Sequence, residues 1–110
     1  MQQNQHQDLA AGKWFALTLA EQLGNVGSDF ERALRWKEKK QAQLFSSSMA
    51  RTLELLDLTL ADTRWHNHRL QELTNLREEV RNALFSKEEN SDETAGLKKY
   101  FYSMAILARK

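Results

Sequence analysis

The sequence contains no proline and only four glycines among its 110 residues. Proline and glycine are the residues that most often end helices and form tight turns between strands. Their scarcity favours long helices. Apolar residues make up 41% of the chain and charged residues 28%, which is typical of a chain that folds into one ordinary domain. We therefore expect a single all-α domain.

The strongest periodic signal runs from Leu9 to about Lys40. Apolar residues recur there in alternating steps of three and four, the spacing of a helix packed against other helices: Ala16, Leu19, Leu23, Val26, Phe30 and Ala33. Gly24 and Gly27 interrupt the run, and each costs a helix about 1 kcal/mol relative to alanine. Because the apolar spacing continues in register across both glycines, we predict one long helix. The missing side chains would let a second helix of the same chain, or of another subunit, approach closely.

Three further helices are predicted. The second runs from about Gln41 or Phe45 to Ala61, and the serines at positions 46–48 would mark the later of the two starts. The third follows a cap formed by Asp62 and Thr63 and ends at about Phe85. Residues 87–96 read as the one clear loop. The last helix spans residues 97–110.

Four helices with short connections pack most simply as an antiparallel up-down bundle. We expect this bundle, with its long first helix, to span residues 9–110 and to follow a disordered polar tail at residues 1–8. Trp14 and Trp65 lie beside apolar stripes and are predicted to be core or core-rim residues.

The chain has no cysteine, so it can form neither disulfides nor thiolate metal sites. Its first eight residues lack the basic and apolar runs of a signal peptide, and no later stretch approaches the roughly 20 apolar residues needed to span a bilayer. We expect a cytoplasmic protein without membrane contact. The formal net charge of +1 gives no global field, so any electrostatic binding site must be a local patch.

No pattern of catalytic or metal-binding residues stands out. His66 and His68 are two residues apart, so on a helix their side chains point in nearly opposite directions and suit an exposed helix start better than a metal site. Glu21 and Asp29 lie near the apolar seam, where carboxylates usually meet an arginine or lysine. Phosphate loops, nucleophile elbows and zinc signatures are missing from the sequence. We predict a protein without enzyme activity, cofactor or metal.

A basic cluster stands out at the end of the first predicted helix. Its members are Arg32, Arg35, Trp36, Lys37, Lys39 and Lys40. Basic side chains can neutralise phosphates while a tryptophan stacks on a base or anchors a partner. A second set on the last helix could merge with it into one face, because the first and last helices of an up-down bundle can be neighbours: Lys98, Lys99, Arg109 and Lys110. The simpler explanation of the first cluster is a solvated helix end that complements the helix dipole.

Three segments resemble those of a group of small prokaryotic helical proteins: residues 12–15 (GKWF), 19–28 (LAEQLGNVGS) and 53–62 (LELLDLTLAD). The overall plan is similar to the four-helix family that includes the ribosomal intervening-sequence protein and the accessory variability protein of diversity-generating retroelements. The accessory members form ring-shaped homo-oligomers that bind a reverse transcriptase and its template RNA. The resemblance implies self-association and contact with RNA or with a protein such as a reverse transcriptase. This chain departs from the pattern in being nearly neutral, whereas a strong RNA binder of this type should be basic.

Two functional hypotheses follow. The first is a non-enzymatic, homo-oligomeric accessory or adaptor protein that binds a nucleic-acid-processing partner, RNA or both through the basic face. The second is a protein-interaction module, antitoxin-like or regulatory, that does not bind nucleic acid. Salt separates them, since phosphate contacts weaken steeply as salt rises and an apolar docking face does not.

Overall fold

The computed structural model describes residues 12–88 and 91–110. Most of these residues lie in α1 (Leu19–Glu38), α2 (Ala42–Ala61), α3 (Arg69–Phe85) and α4 (Asp92–Ala108), and a short 3₁₀-helix at Thr63–Trp65 precedes α3. Within the described ranges the chain forms helices and no strand, so the predicted all-α class is confirmed. The predicted tail at residues 1–8 and the first residues of the predicted long helix, 9–11, lie outside the described residues. None of the described helices is long and apolar enough to cross a membrane.

The start of the first long helix was predicted wrongly. Residues 12–14 are helical, but the chain then turns and α1 begins only at Leu19. The Thr18 hydroxyl accepts the Glu21 N–H at 3.1 Å, and the Glu21 carboxylate accepts the Thr18 N–H at 2.8 Å. This reciprocal capping box satisfies backbone donors that a helix start leaves unpaired. A local cap thus outweighs an apolar spacing that runs back to Ala16.

The α1 helix continues without interruption through Gly24 and Gly27. A Cβ atom added at Gly24 would lie 3.2 Å from the Ala105 Cα, and one added at Gly27 would overlap the Phe101 Cβ. Both glycines therefore allow α4 to lie directly against α1. The close approach occurs between two helices of the same chain.

The end of α1 is built without glycine. Lys40 adopts a left-handed backbone conformation with φ of 59°, its N–H donates to the Lys37 carbonyl at 3.1 Å, and the Gln41 N–H donates to the Trp36 carbonyl at 3.0 Å. These two bonds form a Schellman motif, which usually places glycine at the left-handed position. The α2 helix then starts at Ala42. The serines at 46–48 lie inside α2, so they do not mark its start.

The connection before α3 is longer than predicted. Asp62 caps the 3₁₀-helix, with its carboxylate accepting the Arg64 N–H at 3.1 Å, and α3 begins only at Arg69. Trp65 therefore lies in the 3₁₀-helix and does not open α3. The end of α3 at Phe85 agrees with the prediction.

The last helix begins earlier than predicted. The Ser91 hydroxyl accepts the Thr94 N–H at 3.1 Å, so α4 starts at Asp92 and absorbs half of the predicted loop. Asp92 and Glu93 occupy its first turn, where negative charge complements the helix dipole. The helix ends at Ala108, two residues before the predicted end.

The hydrophobic core is centred on α1. This helix packs closely on α2 and α4, α2 packs on α3, and α3 and α4 touch each other little. Leu23, Val26 and Phe30 of α1 are fully buried, and the Phe30 ring centroid lies 5.6 Å from that of Phe101. The side of the domain between α3 and α4 is consequently its loosest.

Candidate functional site

Part of the basic cluster at the end of α1 is engaged in contacts within the chain. Arg32 Nη1 donates to Asp29 Oδ1 at 2.7 Å, while Lys37 Nζ donates to the Ala83 carbonyl at 3.2 Å and to the Ser86 carbonyl. These two carbonyls lie at the end of α3, where a positive charge complements the helix dipole. Lys37 therefore ties the end of α3 to α1.

Trp36 is half-buried, and Lys39 Nζ lies 5.6 Å from its ring centroid. This is the geometry of a cation–π contact, so one face of the indole is occupied by a lysine of the same chain. Lys40 is exposed at the left-handed position that ends α1.

The second basic set is divided between two ends of the domain. Lys98 reaches the end of α1, where it and Arg35 line one hollow of about 120 Å³. Arg109 lies eleven residues further along the chain, about 16 Å if α4 is straight, and Lys110 follows it. The structure thus brings Lys98 to the first cluster and leaves Arg109 and Lys110 away from it.

The hollow beside Arg35 carries balanced charge. Three basic residues, Arg35, Lys37 and Lys98, share its wall with three acidic residues, Glu31, Glu38 and Glu88. A phosphate entering this hollow would meet as many carboxylates as cations. The hollow therefore does not focus positive potential in the way that a phosphate-binding groove does.

A buried polar network closes the opposite end of the domain. Gln22 is fully buried; its amide nitrogen donates to the Trp14 carbonyl at 3.0 Å and to Asp62 Oδ2 at 2.9 Å, and its oxygen accepts the Trp65 indole N–H at 2.9 Å. The Trp14 indole N–H donates to Thr59 Oγ1 at 3.1 Å. Both tryptophans are thus core or core-rim residues, as predicted, and each has a partner for its N–H.

Asp62 is the charged member of this network. Hydrogen bonds from the Arg64 guanidinium, the shortest of 2.7 Å, and from the Gln22 amide lower the pKa of the Asp62 carboxyl to about 2, although burial opposes the shift. Arg64 also donates to the Leu17 carbonyl at 2.6 Å, which holds the turn before α1. This network satisfies its own polar groups and serves the fold.

The histidines do not converge. His66 Nε2 forms a hydrogen bond of 2.7 Å with the Leu60 carbonyl, and His68 precedes α3 without capping it. In residues 12–88 and 91–110 no three histidine, cysteine, aspartate or glutamate side chains are placed to share a metal ion. Asp29, a carboxylate near the α1 seam, meets arginines on α1 and α2 as anticipated, with Arg51 Nε at 3.4 Å.

An open groove of about 650 Å³ lies between α3 and α4 and is called here the α3–α4 groove. The residues that line it come from both helices: Glu72, Asn75, Leu76, Glu79 and Asn82 of α3, and Glu93, Gly96, Leu97 and Tyr100 of α4. The polar residues of α3 recur in steps of three and four, so they form one stripe that faces α4. Because these side chains favour water over close packing, the two helices stay apart.

The floor of the groove is apolar. Leu76 and Leu97 lie there, and each is 7% exposed, while Tyr100 on the α4 wall is 38% exposed. Burial, and secondarily the charge of Glu72, raise the pKa of Tyr100, and the charge of Arg69 opposes this shift. Leu107 follows Tyr100 by seven residues on the same face of α4 and is 56% exposed. The apolar surface of α4 therefore extends beyond the groove along one stripe.

The rim of the groove is acidic. Glu72, Glu79 and Glu93 line it, and no lysine or arginine does so in the part of the chain that the structure describes. None of the three carboxylates forms an ion pair or a side-chain hydrogen bond with another described residue. The groove thus combines a narrow apolar floor with an acidic rim.

The groove was not predicted from the sequence, because alternating charges such as those of α3 are most simply explained as a solvated helix face. The informative feature is which positions around the helix carry acidic residues and which carry arginine. Positions 72, 75, 79 and 82 carry only glutamate and asparagine. Of the three arginines on α3, Arg77 pairs with Asp57 of α2 at 2.7 Å, and Arg81 lies 5.2 Å from the Phe85 ring centroid. Arg69, at the start of the helix, is near enough to Tyr100 for its charge to act on the phenol, but it does not line the groove.

Comparison with protein-family models, with curated proteins and with solved structures found no match to this chain.

Proposed function

We propose that this protein is a non-catalytic adaptor that binds a partner protein by receiving one of its α-helices in the α3–α4 groove. The observation that carries the proposal is the open groove between α3 and α4, the two neighbouring helices that pack least closely on each other. Grooves between helices receive the apolar face of an amphipathic helix. Of the two hypotheses drawn from the sequence, the geometry favours the protein-interaction module, because Lys37 is engaged within the chain and the hollow beside Arg35 has as many carboxylates as cations.

The proposal includes an antiparallel up-down arrangement of α1–α4. Gly24 lies against Ala105 and Gly27 against Phe101, an order that supports opposite directions for α1 and α4. Contacts between α1 and α2 follow the same reversed order. In an up-down bundle α3 and α4 are neighbours that would ordinarily pack on each other. A docked helix would complete that side of the bundle.

The length of the groove suits such a helix. Glu72 and Asn82 mark its extent on α3, and ten residues of α-helix span about 15 Å. Over this distance an amphipathic helix presents three apolar side chains at the usual steps of three and four residues. Leu76 and Leu97 would receive them on the floor.

Both hypotheses drawn from the sequence, the accessory or adaptor protein and the protein-interaction module, allow a partner protein. Proteins that process nucleic acid carry basic segments that neutralise phosphate, and an acidic groove attracts such segments. We therefore keep a nucleic-acid-processing protein, such as a reverse transcriptase, as the proposed partner, in the cytoplasm. Self-association also stays part of the proposal. Gly24 and Gly27 pack against α4 of the same chain and do not support it, but the exposed apolar and aromatic side chains of Phe85, Tyr102 and Leu107 do.

Photo-crosslinking in the cells that make the protein tests the proposal. A photoreactive residue replaces either Asn82, which lines the groove, or Ser47, which is exposed on α2. We expect a discrete adduct with a helical segment of one protein from position 82 and none from position 47. Gly96→Trp should fill the groove and remove the adduct, and Gly96→Ala should retain it. Equal adducts from both positions, or an adduct that survives Gly96→Trp, would contradict the proposal.

RNA binding is the second candidate function. Its support is the exposure of Lys39, Lys40 and Lys99 together with the approach of Lys98 to Arg35. If phosphates bind there, replacing Lys39 and Lys99 by glutamate should weaken binding of a structured RNA roughly tenfold at low salt. The same charge reversal at Arg109 and Lys110 is the matched control. Fluorescence anisotropy of a labelled RNA measures both, and equal affinities for the two double variants would exclude this face.

A further inference from the structure

We infer that the helix received by the α3–α4 groove is basic and amphipathic, with lysine or arginine side chains seven residues apart that meet Glu72 and Glu79. This inference rests on the proposed function and names the chemistry of its partner. Glu72 and Glu79 lie on one stripe of α3, about 10 Å apart along the helix axis. Side chains seven residues apart on a helix laid alongside α3 have the same spacing.

The first support is charge. The groove carries the carboxylates of Glu72, Glu79 and Glu93, and none has an ion-pair partner among the described residues. Glu72 and Glu79 lie about 10 Å apart along α3, close to the screening length of about 8 Å at physiological salt. The electrostatic potentials of the two carboxylates therefore partly add within the groove. A cationic segment would be drawn to this rim, and an acidic one would be repelled.

The second support is the contrast with the aspartates elsewhere in the domain. Asp29, Asp57 and Asp62 each form an ion pair with an arginine, at closest distances of 2.7 Å. The hollow beside Arg35 likewise balances three acidic residues with three basic ones. The groove lining, in contrast, places three carboxylates together and includes no lysine or arginine among the described residues.

The third support is the asymmetry of the two walls. The α3 wall is polar, with Asn75 and Asn82 between and beyond its two glutamates, while the α4 side offers Leu97 on the floor and Tyr100 on the wall. A helix lying in the groove would direct its apolar stripe toward the floor and α4, and its basic flank toward α3. An apolar helix without charge would leave the α3 carboxylates facing it without compensation.

Selection from a displayed peptide library tests the inference. The library presents helical peptides of about 18 residues with a fixed apolar stripe, and its flanking positions are randomised among lysine, glutamate, glutamine and serine. Immobilised wild-type protein is the bait, and Gly96→Trp is the counter-bait. We expect selected peptides to carry lysine at flank positions seven apart, and to lose at least tenfold in affinity on Gly96→Trp.

Two failures can be told apart. If the selected peptides depend on the groove but carry neutral or acidic flanks, the inference is wrong and the proposed function stands. If no peptide is enriched on wild-type protein over Gly96→Trp, the proposed function itself fails. Light scattering of the protein alone adds a third outcome: a dimer abolished by Gly96→Trp would mean that a second copy fills the groove, which also overturns the inference.

Charge reversal supplies the matched comparison. Replacing Glu72 and Glu79 by lysine should weaken the selected basic peptide roughly tenfold and shift a repeated selection toward glutamate. The control replaces Glu54 and Glu78, which are exposed outside the groove lining, and changes the net charge equally. Equal losses for the two double variants would mean that net charge alone is responsible, and would overturn the inference. Melting temperatures of both variants establish that each is folded.

Discussion

The two sides of α4 use glycine in opposite ways. On one side Gly24 and Gly27 of α1 bring the helices together, so that a side chain at Gly27 would overlap Phe101. On the other side Gly96 of α4 faces the α3–α4 groove, and a Cβ atom there would meet nothing within 4 Å. Glycine thus occurs both at a close contact with α4, on α1, and at an open face of α4 itself. What decides between them is the chemistry of the opposing helix.

The opposing residues explain the difference. Phe101 of α4 packs against Phe30 and the other buried residues of α1, where removal of apolar surface from water stabilises contact. Across the groove α3 presents Glu72, Asn75, Glu79 and Asn82. Burying such groups without partners would cost more than the contact returns. A glycine permits two helices to approach closely, but they do so only where the opposing helix presents apolar side chains that pack against it.

The largest test of this comparison is to place the same side chain on both sides of α4. Gly27→Val should destabilise the domain by about 3 kcal/mol, because the added Cβ and methyl groups overlap Phe101 in a closely packed core. Gly96→Val should change stability by less than about 1 kcal/mol. Urea denaturation of the two variants measures both effects. Equal losses of stability would show that the two faces of α4 are equally closely packed.

The second-largest expected effect is a loss of stability in acid, caused by Asp62 in the buried polar network. The folded pKa of Asp62, about 2, lies below the reference value of 3.8, so the unfolded chain takes up its proton first as pH falls. Asp62 therefore contributes about 2 kcal/mol above pH 5, and this contribution is lost progressively between about pH 5 and pH 2. Denaturant unfolding across this range should show a steeper loss for the wild type than for Asp62→Asn.

Asp57→Asn is the control for this acid effect. Asp57 also pairs with an arginine, but its side chain is 58% exposed, and exposed pairs contribute little. Its pH profile should follow that of the wild type. A profile flattened by Asp57→Asn as strongly as by Asp62→Asn would place the acid sensitivity at the surface and not in the buried network.

A smaller effect is expected at Lys37, which connects the closely packed helix α1 to the end of α3. Lys37 of α1 donates to the carbonyls of Ala83 and Ser86 at the end of α3. Lys37→Met keeps the length of the side chain but removes the charge and both bonds, so stability should fall by about 1 kcal/mol. Amide exchange at the end of α3 should accelerate. Lys39→Met, which loses only an exposed cation–π contact, should leave that exchange unchanged.

The parts of the fold that follow local rules could be predicted from the sequence. The apolar steps through Leu23, Val26 and Phe30 placed the core seam, and Phe85 was the predicted end of α3. The missed starts had readable signals, since Thr18 stands three residues before Glu21, and Ser91 three before Thr94. The periodic pattern was given more weight than these short caps.

The groove and the fate of the basic cluster depend on contacts between distant segments. Lys37 meets carbonyls more than forty residues away, so its role could not be read from its charged neighbours. The open space at Gly96 depends on which stripe of α3 is turned toward α4. Sorting the residues of α3 by helical position, and not by order along the chain, would have shown that glutamate and asparagine alternate at positions 72, 75, 79 and 82.

The smallest expected effect has the opposite sign. Gly96→Ala should stabilise the domain by about 0.5 to 1 kcal/mol, because alanine is the better helix former and its methyl group enters open space. Gly24→Ala gains the same propensity but brings a Cβ to 3.2 Å from the Ala105 Cα, so its net effect should be smaller or negative. Thermal unfolding of the two variants gives the comparison. A lower melting temperature for Gly96→Ala would mean that α3 closes on α4 in solution, and the groove would then have no room for a partner helix.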